Sequence, residues 1–192
     1  MLLKQLLKNL DYTLVQGSLN TEVTDIYYDS RKVTPGGLFV CIVGTQRDSH
    51  DYAADVAAKG AAVLAIQHDL PAEVLAALPD VTVVKFESTR YAMALLSTAY
   101  FGRPALEMTM VGVTGTKGKT TTTYMTHAVM DAVAGTKTGL LSGMEHDMGG
   151  QVTYTHLTTP ESLEMQQLFA EARKHKLPVV TAEISSQAYQ VH

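Results

Sequence analysis

The chain has one cysteine, Cys41, so no internal disulfide can staple it. Its stability must come from a packed core, as in proteins of reducing compartments. Cys41 lies in the apolar run 38–43 and reads as a buried structural thiol. No apolar stretch approaches the roughly 18 residues that a membrane helix needs. Lysines interrupt the leucine-rich first ten residues too often for a secretion signal. Basic charge is scarce as well: 15 Lys and Arg against 19 Asp and Glu leave a net charge of −4, which argues against a nucleic-acid-binding surface. The seven histidines are scattered, and none stands with carboxylates in a zinc arrangement. Glu145-His-Asp147 reads as a solvated loop, and Ser142 in Gly139-Leu-Leu-Ser-Gly143 misses the G-x-S-x-G elbow of serine hydrolases. No repeat or low-complexity tract is visible. These absences predict a cytosolic protein with neither a membrane nor a nucleic-acid partner.

What is present is a core-forming composition, 46% hydrophobic over 192 residues, which suits one or two domains of about 100–150 residues each. Apolar residues recur at helical spacing over 1–10, and apolar or alternating segments at 23–28 and 38–43 predict strands flanking the turn 34–37. An Ala-rich helix over 52–59 ends at Gly60. A strand is expected at 61–66, a proline-opened helix at 71–78, a strand at 81–86 and a helix at 88–101. This alternation is an α/β signature. A boundary is expected where Gly102 and Pro104 interrupt the pattern, dividing the chain into 1–105 and 106–192.

The second segment opens with the most specific feature of the chain. Residues 108–113 are mostly apolar and predict a strand; residues 119–133 predict a helix; between them runs Thr114-Gly-Thr-Lys-Gly-Lys-Thr-Thr121. Glycines at such a turn let successive N–H groups point at one anion, and the helix N-terminus adds partial positive charge. Lys119 could reach outer phosphates, and the Thr120 hydroxyl could ligate Mg²⁺. Gly115, Thr116, Lys117, Gly118 and Thr121 complete the candidate ATP-binding set. The general G-x-x-x-x-G-K-[ST] pattern wants a glycine where Val113 stands, with Gly112 one residue too early.

Further along, a strand is expected near 138–141, a polar loop over 142–150, a strand at 152–156, a helix at 161–175 and a buried strand at 179–184. Glu183 closes that last strand, where a carboxylate beside a phosphate loop could hold the nucleotide's Mg²⁺ or stand solvated. Thr158 and Thr159 could cap the following helix or contact a ligand, and Ser185 is equally open. Asp29-Ser-Arg31 and Thr45-Gln-Arg-Asp48 follow strands, and both ordinary turn chemistry and binding account for them. About four strands are readable from residue 108 onward, where a phosphate-loop sheet usually has about five or more, so the chain is expected to be a fragment.

Together these residues resemble the Mur ligase family, MurE type. Gly112-Val-Thr-Gly-Thr-Lys-Gly-Lys-Thr-Thr121 is similar to that family's phosphate loop, which also lacks the standard first glycine. Asp29-Ser-Arg31, Pro35-Gly-Gly-Leu-Phe-Val40, Gly44 and Asp48-Ser-His50 resemble its uridine-binding N-terminal domain, and Thr158-Thr-Pro160 and Glu183-Ile-Ser-Ser-Gln187 resemble two further segments. The sequence departs from the common pattern at Leu157 and Gln187. The resemblance implies an N-terminal uridine-binding α/β domain followed by the first part of a P-loop ATPase domain. It implies an ATP- and Mg²⁺-dependent ligase of peptidoglycan synthesis, acting as a monomer. Such an enzyme joins an amino acid to UDP-N-acetylmuramoyl-L-alanyl-D-glutamate through an acyl phosphate. By position, Lys119 would be catalytic, and Thr120 and Glu183 would serve the metal. Ser30, with Tyr28, Thr45, Gln46 and Arg47, would contact the uridine end; Thr158, Thr159 and Ser185 would contact the UDP-muramoyl peptide. The family's carbamylated lysine and amine-binding domain would lie beyond His192, leaving this chain inactive alone. A folylpolyglutamate synthase-like ligase and a non-catalytic nucleotide- or UDP-sugar-binding module are the alternatives.

Overall fold

The computed structural model describes every residue except Thr45, His156, Leu157 and His192, and describes Tyr189, Gln190 and Val191 by backbone alone. It divides into two compact units, Met1–Tyr100 and Phe101–His192.

In the first unit the elements run α1 (Leu3–Leu6), β1 (Thr13–Gln16), β2 (Ile26–Tyr27), β3 (Leu38–Val40), a 3₁₀ turn (Ser49–Tyr52), α2 (Ala53–Ala58), β4 (Val63–Ile66), α3 (Ala72–Ala76), β5 (Thr82–Lys85) and α4 (Thr89–Tyr100). The sheet order is β1-β5-β4-β3-β2, with β2 to β5 parallel and β1 antiparallel on β5. Every residue of β3 and β4 is buried, as expected of parallel strands covered on both faces. Phe39, Leu64, Ile66 and Val83 of the sheet meet Ala53 and Val56 of α2 in one core cluster. Cys41 is buried, and its thiol is pushed up to about 12 by burial.

Two expectations for this unit need correction. The helix over 1–10 shortens to α1, because the chain end is tied elsewhere: the main-chain N–H groups of Leu3, Lys4 and Val23 donate to Thr21, Leu19 and Met1 carbonyls at 2.9, 2.9 and 2.7 Å. Strand β1 was not expected. Its side chains are mostly exposed, so it carries no apolar alternation and exists by pairing with β5.

The second unit runs through a 3₁₀ turn (Pro104–Glu107), β6 (Thr109–Val113), α5 (Lys119–Ala134), β7 (Gly139–Leu141), β8 (Glu145–Asp147), β9 (Thr153–Tyr154), α6 (Ser162–Lys174), β10 (Val179–Glu183) and α7 (Ser186–Val191). Its sheet order is β6-β10-β7-β8-β9, the first three strands parallel and the last two antiparallel. Leu141, Val180 and Ala182 from the sheet pack with Phe169 and Ala172 of α6 and with Met148 and Leu177. The phosphate-loop strand β6 is an edge strand and only half buried. α5 presents Met125, Val129 and Val133 to solvent.

The expected polar loop 142–150 contains β8, which joins a five-stranded sheet where four strands were expected. Glu145-His-Asp147 is therefore a strand rather than a solvated loop. His146 is buried within it, and Asp147 pairs with Lys137 at 2.9 Å. The expected strand 152–156 is confined to Thr153–Tyr154, and His156 lies outside the described residues. Among the described residues no helix is long and apolar enough to cross a membrane.

Gly17, just after β1, has φ +86°, and a Cβ there would stand 2.6 Å from Thr82 Cα. Gly17→Ala should combine left-handed strain with a backbone clash, at a cost of about 3 kcal/mol. Urea unfolding of the variant should show a clearly lower midpoint; a midpoint equal to the parent's would contradict this packing.

Candidate phosphate and nucleotide sites

In the second unit, parallel pairing puts the carboxyl ends of β6, β10 and β7 side by side, where open α/β sheets hold ligands. The Ile184 N–H donates to Val113 O at 2.8 Å, fixing where β6 gives way to the glycine loop. Gly115 and Gly118 have φ of +148° and +77°. No atom lies within 4 Å of a Cβ built at Gly118, so glycine serves conformation there rather than space. Gly115, Thr116, Lys117 and Gly118 are exposed, as is Thr121 in the first turn of α5. Lys119 opens α5 and folds back, its Nζ donating to Gly115 O at 3.0 Å. The ammonium is thus held over the loop whose amides and helix end are suited to an anion.

Thr120 points the other way. Its Oγ1 donates to the Glu183 carboxylate, 3.0 Å from Oε2 and 3.2 Å from Oε1. Glu183 is only 2% exposed at the end of β10, and its Oε2 also accepts the Gly143 N–H at 3.0 Å. Thr159 Oγ1 donates to the Glu183 main-chain oxygen at 3.3 Å and accepts the Ser185 N–H at 2.9 Å. Thr158 is adjacent: a Cβ on Gly143 would stand 3.3 Å from its Cα. Ser185 Oγ accepts the Ala188 N–H at 3.1 Å, a capping contact at the start of α7. Four chain segments distant in sequence therefore meet around one carboxylate.

Burying a carboxylate costs several kcal/mol unless a cation compensates. Among the described residues Glu183 has hydrogen bonds but no Lys or Arg in ion-pairing range. A carboxylate and a hydroxyl form a hard oxygen donor set of the kind that binds Mg²⁺. The residues present fit that ion. Gly143 had no signal in the sequence, since its part is played by a backbone amide. Ser142 is structural, its Oγ accepting the N–H groups of Met144 and Glu145 at 3.2 and 3.0 Å.

In the first unit Tyr28 and Ser30 follow β2, and Gln46 and Arg47 lie in the turn after β3. Because β2 and β3 are parallel, both segments leave the same edge of the sheet. Ser30 is half-buried, and its main-chain oxygen accepts from Lys59 Nζ at 2.7 Å. Arg31 grips Asp29 with Nε at 2.9 Å and Nη2 at 2.8 Å, and these hydrogen bonds hold the Asp29 carboxyl near 2. Arg31 is largely exposed, so the pair shapes the turn more than it stabilises the fold. The turn 44–47 closes through the Gly44 N–H to Arg47 O at 2.9 Å and a bridge between Val43 and Asp48, leaving Gln46 and Arg47 exposed. Thr45 lies outside the described residues, as does Leu157. Sequence reading missed a side-chain cluster at the base of this turn, Asp48 with His50 and His68, because His68 comes from another strand end.

Comparison with known proteins bears on both units. Residues 22–101 match a model described as "Mur ligase family, catalytic domain", and residues 113–192 match "Mur ligase middle domain". A relative from Clostridium botulinum, UDP-N-acetylmuramoyl-L-alanyl-D-glutamate--2,6-diaminopimelate ligase, is 40% identical over 184 residues, 96% of this chain and 37% of that protein. A Clostridium perfringens protein of the same name is 35% identical over 191 residues, 38% of its length. The chain thus spans under two-fifths of these relatives. A solved UDP-N-acetylmuramoyl-L-alanyl-D-glutamate--2,6-diaminopimelate ligase superposes over all of this chain with a TM-score of 0.72 at 15% identity, 37% of that structure being covered. MurF from Acinetobacter baumannii gives 0.62 at 20% identity over 96% of this chain and 36% of its own. A glycine loop at the carboxyl ends of parallel strands, two matching family models and these relatives place the chain in the Mur ligase family.

Proposed function

We propose that this chain is the nucleotide-handling part of an ATP-dependent ligase that joins diaminopimelate to UDP-N-acetylmuramoyl-L-alanyl-D-glutamate. Residues 1–105 would hold the uridine end of the acceptor, and residues 106–192 would form part of the ATP-binding domain. The observation that carries the reading is the junction of the Thr120 hydroxyl with the buried Glu183 carboxylate directly beside the glycine loop. The relatives' names supply the acceptor and the amine. The match over 22–101 weighs against a folylpolyglutamate synthase-like ligase, which has no uridine-binding domain.

The chemistry asks for what these residues offer. A carboxylate is a poor acyl donor; ATP can convert it to an acyl phosphate with release of ADP, and an amine then displaces phosphate to form the amide. Phosphoryl transfer depends on positioning and charge neutralisation more than on a protein nucleophile. Lys119 would neutralise phosphate charge from above the loop, while the amides around Gly115, Thr116, Lys117 and Gly118, with Thr121, would cradle the phosphates. Thr120 and Glu183 would hold Mg²⁺, which when bound would supply positive charge to offset that of the phosphates. Thr158, Thr159 and Ser185 would orient the UDP-muramoyl peptide beside that carboxylate. Ser30, Tyr28, Thr45, Gln46 and Arg47 would read the uracil nucleotide.

Two substitutions test this reading. In an active ligase carrying this segment, Lys119→Ala should lower turnover on the order of 10²–10³-fold, the loss typical of a single electrostatic stabiliser. Affinity for UDP-muramoyl dipeptide should hardly change, and near-normal turnover at saturating ATP would refute the role. Glu183→Gln removes the buried charge while keeping the shape. Calorimetry should show Mg²⁺-dependent ADP binding weakened about tenfold, with thermal stability kept or raised because an uncompensated charge is gone. ADP binding with an unchanged Mg²⁺ requirement would remove Glu183 from the metal site.

A further inference from the structure

The base of the turn 44–47 is built from side chains to which no role has yet been given. Asp48 sits between two imidazoles that stack on each other, ring centroids 3.7 Å apart. Its Oδ1 lies 2.5 Å from His50 Nδ1 and its Oδ2 lies 2.6 Å from His68 Nε2. Oδ1 also accepts the His50 main-chain N–H at 3.0 Å. His50 is buried, and its Nε2 accepts the Gln67 N–H at 2.9 Å. Gln67 Oε1 in turn accepts the Thr89 N–H at 3.1 Å, at the start of α4. The carboxyl ends of β3 and β4 and the beginning of α4 are thereby linked through one carboxylate.

The bonding decides what the cluster is. With Nε2 occupied by Gln67 N–H, the His50 proton belongs on Nδ1, directed at Asp48. A cation among Asp48, His50 and His68 would need that Nδ1 lone pair, and His50 could offer it only by giving up the Gln67 bond. The three groups lie close enough to ligate a metal, yet every contact the Asp48 carboxylate makes here is with an N–H donor. A clamp accounts for this arrangement without breaking any of its contacts.

We propose that Asp48, gripped by His50 and His68, is a positioning residue that fixes the turn 44–47 for the uracil nucleotide. This rests on the reading of that turn as the nucleotide contact. Asp48 is bridged through its backbone to Val43 across the turn, so the carboxylate anchors the exact segment that presents Gln46 and Arg47. Ligand contact from a four-residue turn needs such an anchor, because a loosely held loop loses affinity to ordering entropy.

The titration of the cluster follows its geometry. The bond from Asp48 raises His68 above 6.5, against some desolvation, while the Asp69 main-chain oxygen and the Asp51 charge act in the same direction. Asp69 is itself paired with Lys85 at 2.8 Å. Burial lowers His50 below 6.5, with Asp48 opposing. Asp48 is held near 2: burial would raise it, but hydrogen bonds from the His50 backbone and both imidazoles prevail. The stability gained from protonated His68 is complete below pH 6.5 and disappears as pH rises through its folded value. Neutral, buried His50 works oppositely, destabilising as pH falls below 6.5.

The test uses this chain with uridine diphosphate as probe, by calorimetry, together with amide exchange at residues 44–47 and NMR titration of the imidazoles. The side chain of His68 is 52% exposed, so His68→Gln should fold normally even where Asp48→Asn does not. Both variants should bind uridine diphosphate more weakly, about tenfold for Asp48→Asn, the scale of one charge-assisted hydrogen bond. They should also speed exchange in the turn, and Asp48→Asn should return His68 toward 6.5. Parent-like affinity and exchange in both variants would overturn the clamp. Absence of binding by the parent would instead remove the nucleotide reading on which it rests. Tight zinc binding that His68→Gln abolishes, with uridine diphosphate affinity unchanged, would make the cluster a metal site and overturn the proposal.

Discussion

A carboxylate buried at the end of a strand constrains everything around the phosphate loop. Glu183 cannot sit there unless donors converge on it, and the donors come from three places: the α5 hydroxyl of Thr120, the amide of Gly143 after β7, and through its main-chain oxygen the hydroxyl of Thr159. The price of burying that charge selects their geometry, because a half-satisfied buried carboxylate is worse than an apolar residue. The same carboxylate fixes the first turn of α5 against the end of β10, so the glycine loop between β6 and α5 is held at both ends. Lys119, one residue before Thr120, is then directed back over the loop.

The first unit solves a comparable problem with two imidazoles on one carboxylate. Parallel pairing of β2, β3 and β4 gathers three loop starts at one edge. Loops there need side-chain anchors, because no ladder continues into them. Arg31 on Asp29 anchors one, and Asp48 between two histidines anchors the next. In both units charged side chains organise the loops at the strand ends, while the apolar core determines only where strands end.

Much of this was legible in the residues, for identifiable reasons. Helix α5 and strand β6 stand out because period and glycine content change within a few residues, and the observed Lys119–Ala134 and Thr109–Val113 lie within one or two residues of the expected ranges. Strand β8 was hidden because Glu-His-Asp has no apolar alternation and is a strand only through β7 and β9. β1 was hidden for the same reason. In the site, Thr120 and Glu183 were singled out from local motifs, but Gly143 acts through its amide and leaves no trace in side-chain chemistry. His68 lies 20 positions from Asp48 and meets it only because β3 and β4 are neighbours. Contacts set by sheet order are beyond local pattern.

The central claim is that Thr120 and Glu183 form the cation-binding end of the phosphate loop, and paramagnetic NMR tests it most directly. Mn²⁺ in place of Mg²⁺, added with ADP, broadens nuclei according to their distance from the bound ion. The account predicts that the Thr120, Gly143 and Glu183 amides broaden first, together with Gly118 and Lys119, and that Glu183→Gln abolishes the effect. Broadening centred on Asp48, His50 and His68, or spread over exposed acidic residues with the Glu183 neighbourhood unaffected, would contradict it.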